Sequence, residues 1–269
     1  MNQLDQLESK SIYIIREAYN KFKNVGALWS IGKDSTVLVH LIKKAFFGRV
    51  PFPVIYIDTG MHFQEMYDFR DRLAKEWNLN LIISKNYDEA EKLNIGPKES
   101  FKCCNLRKTE SLKKTIREHN FDALFLGIRR DEHGIRAKER YYSPRNEKFQ
   151  WDYENQPPEM WDQFKTSRDD DNTHLRIHPL LHWTEVDIWN YIKREKLPVN
   201  PLYFASQKDG KWIRYRSLGC KPCTDPIESS AKTIDEIIKE ITESKSSERA
   251  GRSQDKEKIM QRLRALGYM

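Results

Sequence analysis

One stretch near the N-terminus, residues 25–36 with the sequence VGALWSIGKDST, constrains the fold more than any other part of the chain. It begins as a short apolar strand and continues through a small-residue turn at 30–32, and apolar spacing then predicts a helix over 36–45. A strand that ends in such a turn and opens a helix directs backbone N–H groups at one point, where the helix dipole favours an anion. Lys33 adds a positive charge and the neighbouring serines add hydroxyl donors. The stretch therefore predicts a phosphate cradle.

The cradle does not match the Walker pattern of P-loop nucleotide-binding proteins. Gly26 lies one residue too far from Gly32, and Asp34 follows Lys33 where a serine or threonine would hold Mg²⁺. The remaining sequence, SIGKDS, resembles the S-x-G-x-D-S loop of the N-type ATP pyrophosphatases, the PP-loop family. That resemblance implies that the α–β bond of ATP is broken and that AMP passes to a substrate. An ordinary strand-to-helix turn that contains glycine is the alternative.

Strands and helices alternate along most of the chain. This alternation predicts an α/β fold with a doubly wound, mostly parallel sheet and helices on both faces. Predicted helices cover 3–23, 36–45, 65–77, 106–119, 186–195 and 233–244, and predicted strands cover 25–28, 54–57, 79–83, 123–128 and 175–180.

Two polar segments and a C-terminal arm complete this organisation. The polar composition of residues 87–102 predicts a polar connection, and that of residues 143–173 predicts a long surface excursion. We expect a nucleotide-binding α/β domain over 1–213 and a C-terminal arm with a CxxC pair and basic helices over 214–269.

Composition and charge limit the classes of partner. The 269 residues carry a formal charge of +7, which is compatible with nucleotides, sulfate or nucleic acid and does not choose among them. No apolar run approaches the ~20 residues that span a bilayer. The first six residues contain neither a basic nor an apolar signal region. We therefore expect a cytoplasmic protein with no membrane partner.

Polar residues follow two of the predicted buried strands, at the edge where open α/β sheets bind ligands. Asp58, Thr59 and Gly60 follow the second strand, and the carboxylate of Asp58 could bind a ribose or help to hold Mg²⁺. A helix N-cap is the alternative for this segment. Gly127 lies near the end of a later strand, which leads into the basic residues Arg129 and Arg130.

Motifs along nearly the whole chain resemble those of one PP-loop branch, which contains the small subunit of bacterial sulfate adenylyltransferase and the adenylylsulfate reductases. The resemblance implies an adenine nucleotide alpha-hydrolase-like fold that binds ATP with Mg²⁺. The matching segments are 30–35, 52–60, 69–72, 129–132, 136–140, 183–189, 201–204 and 247–252.

The same resemblance implies roles for single residues. Lys33, Asp34, Arg129 and Arg130 would act on the reacting phosphates, and a C-terminal arginine pair would close over the site. The residues that it implies in binding of the nucleotide and the anionic substrate are Ser30, Gly32, Lys33, Asp34, Ser35, Asp58, Thr59, Gly60, Gly127, Lys138, Arg140, Arg249 and Arg252.

The four cysteines depart from the adenylyltransferase subunit, because that subunit carries neither an adjacent pair nor a CxxC pair. Cys103-Cys104 together with Cys220-x-x-Cys223 resembles the ligand set of the [4Fe–4S] adenylylsulfate reductases. Four thiolates satisfy such a cluster. Zinc is the runner-up, although zinc sites usually use two CxxC-like pairs. Four buried free thiols are the remaining alternative.

Three functional hypotheses follow from this resemblance. Reductase activity is disfavoured, because no cysteine follows Cys223 to attack a sulfate sulfur. A cluster-bearing PP-loop protein without that nucleophile resembles the ATP-pyrophosphatase component of DNA phosphorothioation systems. The leading hypothesis is therefore ATP-dependent activation of an acceptor, with DNA as the expected acceptor and a cysteine desulfurase or other sulfur donor as partner. The first alternative is adenylyl transfer to sulfate beside a GTPase large subunit, and the second is a non-catalytic nucleotide-binding scaffold for a desulfurase.

Overall fold

Strands and helices alternate in the part of the chain that the computed structural model describes, which is residues 2–151, 156, 158–164, 172–244, 248, 262–263 and 266–267. The strands are β1 (Val25–Leu28), β2 (Val54–Asp58), β3 (Leu81–Lys85), β4 (Ala123–Phe125), β5 (Tyr142–Asn146), β6 (Asn172–Ile177), β7 (Ser206–Lys208), β8 (Lys211–Arg214) and β9 (Ile227–Glu228). The helices are α1 (Gln3–Lys21), α2 (Lys33–Ala45), α3 (Gln64–Glu76), α4 (Tyr87–Lys92), α5 (Ser100–Cys104), α6 (Ser111–His119), α7 (Glu185–Glu195) and α8 (Ile234–Glu243).

The central sheet has the strand order β3-β2-β1-β4-β6-β5. All its neighbouring pairs are parallel except β5 and β6, so the predicted mostly parallel α/β sheet is confirmed. From β1, the strand order runs to β2 and β3 on one side and to β4 and β6 on the other. This reversal makes a crevice outside the carboxyl ends of β1 and β4, which is where sheets of this kind bind ligands.

Apolar faces hold the first two helices onto the sheet. Every residue of β1 is buried, and α1 packs against α2. The inward face of α2 includes Val37, Leu38 and Leu41, each with no exposed surface. Full burial of one such side chain contributes about 1.5–3 kcal/mol. The strand that leads into the phosphate cradle and the helix that leaves it are therefore fixed by the core.

The structure corrects several predicted boundaries. Helix α2 begins at Lys33 and not at residue 36, because Gly32 takes the extended backbone of an N-cap. The polar connection at 87–102 contains α4 and α5, which are too short to give a clear periodic signal. A π-helical turn, Asn105–Glu110, then joins α5 to α6.

Two groups of strands were not predicted. Strand β5 lies in the segment read as a surface excursion, and its Pro144 is tolerated because β5 is an edge strand. Strands β7, β8 and β9 form a small antiparallel sheet. The β7–β8 turn holds Asp209 and Gly210 at positive φ, and this Asp-Gly pair is a strong hairpin signal in the sequence.

The predicted division between residues 213 and 214 stays a prediction, and strand β8 spans that point. Capping boxes begin two of the predicted helices: Thr184 with Asp187 begins α7, and Thr233 with Glu236 begins α8. Within the described ranges, none of the helices combines the length and the apolar character that crossing a membrane requires.

Candidate functional site

The turn after β1 has an unusual backbone. Ile31 has a φ of 65°, which is uncommon for a β-branched residue. The side chains of Ser30 and Ser35 lie 3.1 Å apart, and the Ser35 hydroxyl donates to the Gly32 carbonyl at 3.1 Å. These bonds join the two ends of the turn, which links strand β1 to helix α2 as the sequence predicted.

Gly127 lies where the carboxyl end of β4 approaches this turn. A β-carbon built on Gly127 would stand 3.0 Å from both the backbone nitrogen and the α-carbon of Ser35. These distances are tighter than ordinary van der Waals contact, so a larger residue at position 127 would require the backbone of Ser35 to shift. The predicted nucleotide-binding residue Gly127 thus sets the spacing between the β4 end and the start of α2.

Lys33 is almost fully buried and is surrounded by carboxylates. Its Nζ lies 3.2 Å from Asp34 and 3.9 Å from Glu185, and it pairs closely with Glu248. Burial alone would lower the pKa of Lys33, but Asp34, Glu248 and Glu185 together raise it above its ordinary value. The ammonium group is therefore charged at any physiological pH.

Arg129 is a second buried cation beside Lys33. Its guanidinium pairs with Asp131 at 2.9 Å and also with Asp34 and Glu248. Burial would lower the pKa of Arg129, and the surrounding carboxylates raise it. Glu248 consequently bridges the two cations, and they hold its pKa below the ordinary range although burial acts in the opposite direction.

Glu185, Tyr203 and Glu248 were not predicted as site residues. Glu185 follows the N-cap of α7, and Arg216 pairs with it at 2.8 Å. The Tyr203 hydroxyl accepts the backbone N–H of Lys33 at 2.9 Å. The only sequence signals were the quoted segments 183–189, 201–204 and 247–252, and these gave no roles to the three residues.

A cavity of about 150 Å³ lies against the cradle. One part of its wall is apolar, and another carries charged and hydroxyl groups. The apolar members are Leu28, Trp29, Ile55, Tyr56, Ile57, Met66, Leu126, Ile128 and Leu218, and the members with polar side chains include Ser30, Asp34, Ser35, Thr59, His62, Lys108, Glu132, Arg136, Tyr203, Ser217 and Glu248.

The segment after β2 forms a tight turn. Asp58 accepts the Gly60 N–H at 2.8 Å and the Tyr67 hydroxyl at 3.0 Å, and Gly60 has a φ of 71°. Thr59 lines the cavity, whereas Asp58 is not among the lining residues. The Asp58 carboxylate is thus partly used in holding its own turn.

The other predicted basic residues are placed differently from Arg129. Arg130 donates to the Glu139 carbonyl at 3.3 Å and lies over the Tyr141 ring. Arg130, Lys138 and Arg140 do not line the cavity, and the buried Lys33 and Arg129 lie behind its wall and not in it. Arg249 and Arg252 lie outside the described residues.

The four cysteines are all buried, and none forms a disulfide. Cys103 and Cys104 end helix α5, and Cys220 and Cys223 flank a single 3₁₀ turn. Burial and the neighbouring Cys104 raise the pKa of Cys103, and Arg107 lowers it, with smaller increases from Cys220 and Cys223.

Cys220 contacts a residue of the cavity wall, Thr59. Its sulfur lies 3.2 Å from the Thr59 hydroxyl. Burial would raise the pKa of Cys220, but Lys108 and hydrogen bonds from His62 and Thr59 lower it to about 5. A set of four thiols suits iron–sulfur or zinc chemistry. As the described side chains stand, no group of three or more His, Cys, Asp or Glu residues is arranged to hold a single metal ion.

Comparison with protein families gives one match over most of the chain. The model of the phosphoadenosine phosphosulfate reductase domain matches residues 24–226. Among curated proteins, sulfate adenylyltransferase subunit 2 of Zymomonas mobilis is 44% identical, over 96% of this chain and 94% of that protein.

Two solved structures share the fold at low sequence identity. The phosphoadenylyl-sulfate reductase of Candida auris in its phosphate complex has a TM-score of 0.57 and 21% identity, covering 84% of this chain and 98% of its own. The FMN adenylyltransferase of Candida glabrata in complex with ATP also has a TM-score of 0.57, with 17% identity, and covers 96% of this chain and 80% of its own. These likenesses confirm the expected adenine nucleotide alpha-hydrolase-like fold.

Proposed function

The chain belongs to the phosphoadenosine phosphosulfate reductase domain family, and we propose that it is an adenylyl transferase that moves AMP from ATP to sulfate and releases pyrophosphate. Its alignment with sulfate adenylyltransferase subunit 2 over nearly the whole chain supports sulfate as the acceptor. The structural observation that carries the proposal is the pair of buried cations, Lys33 and Arg129, at the phosphate cradle.

In the proposed reaction, a sulfate oxygen attacks the α-phosphorus of ATP in line with the bond to the β-phosphate. That bond breaks, adenylylsulfate forms, and negative charge builds on the leaving pyrophosphate. Lys33, Arg129 and the hydroxyls of Ser30 and Ser35 stabilise this charge in a buried environment, where fixed donors act most strongly. Because sulfate is already an anion, the attack requires no general base.

Magnesium fits this site through its carboxylates. Mg²⁺ in nucleotide sites commonly uses one or two carboxylates together with substrate phosphates and water. Asp34 lines the cavity beside Lys33 and is our proposed magnesium ligand. Bound magnesium would neutralise phosphate charge and so complement the two cations.

The acceptor and partner differ from those in the leading sequence hypothesis. The relatives favour the sulfate alternative, and they lend no support to DNA or to a cysteine desulfurase as partner. Because these relatives are named as one subunit of an enzyme, we propose that the chain acts beside a large subunit, which the sequence resemblance implies is a GTPase.

The proposal is tested with labelled sulfate. The full chain, mixed with such a large subunit, ATP and Mg²⁺, should form labelled adenylylsulfate. Lys33→Gln should reduce this rate at least about 100-fold, as loss of a transition-state donor does in other enzymes. Lys196→Gln, at the exposed end of α7, is the matched control and should keep the wild-type rate. ATP turnover without labelled product would contradict the proposal.

We further propose that the four cysteines bind a [4Fe–4S] cluster. The support is the donor set: four buried thiols from two distant segments, with no disulfide among them. Cys103 and Cys104 would bind from α5, and Cys220 and Cys223 from the 3₁₀ turn. A bound cluster would join α5 to the C-terminal segment.

Metal analysis after anaerobic purification tests this second proposal. We expect about four iron and four sulfide per chain, with loss of both in Cys220→Ser. Ser100→Ala, on the same helix as Cys103 and Cys104, should retain them. Zinc in place of iron, or neither metal nor sulfide, would show that the cluster proposal is wrong.

A further inference from the structure

A tyrosine far along the chain contacts the phosphate cradle directly. Tyr203 is 1% exposed, and its hydroxyl accepts the backbone N–H of Lys33 at 2.9 Å. A β-carbon built on Gly32 would stand 3.4 Å from the same hydroxyl. The Lys33 N–H, which would otherwise point at a bound phosphate, is thus already taken by a side chain.

The position of Tyr203 is fixed from several sides. It ends the short 3₁₀ turn Pro201–Tyr203, where the Asn200 side chain accepts the Leu202 N–H at 3.1 Å. Asn200 also donates to the Glu65 carbonyl at 3.0 Å. The Trp189 ring packs edge-on against Tyr203 with centroids 5.4 Å apart. The hydroxyl is therefore held in place before any ligand arrives.

A hydroxyl that accepts one hydrogen bond still has its own proton to donate. No hydrogen bond from the Tyr203 hydroxyl to an acceptor is found within the described part of the chain, and Tyr203 lines the cavity beside Ser30 and Glu248. Burial raises the pKa of Tyr203, so the proton stays on the oxygen. A buried donor aimed at an anion site is worth more than one in water.

We propose that Tyr203 is a phosphate-binding residue of this site, which accepts the Lys33 N–H and donates its own proton to a phosphate oxygen of the bound nucleotide. The cradle is then completed by a side chain from the segment after α7. This inference rests on the proposed function, because it gives the hydroxyl a role in holding the pyrophosphate end of ATP.

Calorimetric titration of the full chain with inorganic pyrophosphate, and separately with adenosine, tests the inference. Tyr203→Phe removes one oxygen and should weaken pyrophosphate binding roughly 10- to 100-fold, the range for a hydrogen bond to a charged group. Adenosine binding should not change. Tyr191→Phe is the matched control: it loses a hydrogen bond to Glu8, lies away from the cavity and should bind pyrophosphate as the wild type does.

Three results would overturn the inference. Wild-type affinity of Tyr203→Phe for pyrophosphate would show that the hydroxyl does not contact phosphate. An equal loss of pyrophosphate and adenosine binding, with a lower melting temperature, would reduce the hydroxyl to a structural role. Failure of the wild-type chain to bind pyrophosphate would overturn the phosphate site itself, and the inference with it, so the two failures are distinguishable.

Discussion

Among single residues of the site, the carboxylates compete with a phosphate ligand for two buried cations. Lys33 and Arg129 are buried, and Glu248 bridges them. Asp34, Asp131 and Glu185 add further negative charge around the pair. Phosphates need the same cations, so the Glu248 carboxylate occupies a position that suits an anionic ligand.

Replacing Glu248 with glutamine should therefore tighten binding of pyrophosphate in the absence of metal. Glutamine keeps the size of the side chain and removes the competing charge, so we expect roughly a 10-fold lower Kd. Calorimetry measures this Kd, and Glu243→Gln at the exposed end of α8 is the control. Weaker binding in Glu248→Gln would mean that this carboxylate helps to assemble the site.

Replacing Gly127 with alanine should disturb the cradle through backbone contact. The added carbon would meet Ser35 backbone atoms at 3.0 Å, and such overpacking typically costs about 1–3 kcal/mol. Urea unfolding should show this loss of stability, and calorimetry should show weaker pyrophosphate binding. Gly96→Ala has no atom within 4 Å of its new carbon and should leave both quantities unchanged. Equal stability and equal pyrophosphate affinity of the two variants would show that the cradle does not depend on the close approach of Gly127 to Ser35.

At the scale of elements, the phosphate turn was predictable and its partners were not. The turn at residues 30–35 depends on local chemistry, because small residues, Lys33 and the start of a helix are adjacent in sequence. Glu185 follows the N-cap of α7, and the capping box itself is made by Thr184 and Asp187. The Glu185 N–H instead binds Asp131 at 2.8 Å. Such contacts join segments far apart in sequence, and no local pattern reports them.

The end of strand β6 gives the fold a pH dependence. His178 is fully buried, and its Nδ1–H donates to the Arg140 carbonyl at 2.7 Å. Burial lowers its pKa to about 4; nearby Arg145 and Arg176 also lower it, whereas Glu139 raises it. Between about pH 6.5 and pH 4 the unfolded chain binds a proton at this histidine and the folded chain does not. The contribution of His178 to the free energy of unfolding is therefore fully present above pH 6.5. It decreases as the pH falls toward 4, by up to about 3 kcal/mol.

Urea unfolding between pH 4.5 and 7.5 measures this dependence. His178→Gln should flatten the decline in the free energy of unfolding with falling pH. His119→Gln, an exposed site at the end of α6, should keep the wild-type slope. An unchanged slope in His178→Gln would assign the acid sensitivity to other groups.

At the scale of the whole molecule, strand order decides where chemistry occurs. The alternating pattern correctly predicted a mostly parallel sheet, and the motif at residues 25–36 correctly predicted a strand, a turn and the start of a helix. The alternating pattern could not give the order of the strands in the sheet, because strand pairing depends on tertiary packing. It also could not show that Cys220 would lie against Thr59, close to the same cavity. Cys220 and the cradle thus lie close to the same cavity although they are separate in sequence.

We propose that the site at this cavity transfers AMP to sulfate, and a pyrophosphate exchange assay distinguishes this reaction from other uses of ATP. Labelled pyrophosphate should enter ATP only when sulfate is present, because adenylylsulfate must form before the reverse reaction can run. The measurement uses the full chain with a GTPase large subunit and Mg²⁺, and compares sulfate with chloride at equal ionic strength. Exchange that requires sulfate is the predicted result. Exchange that is equal in chloride, or AMP release that depends on another acceptor such as DNA, would contradict the account.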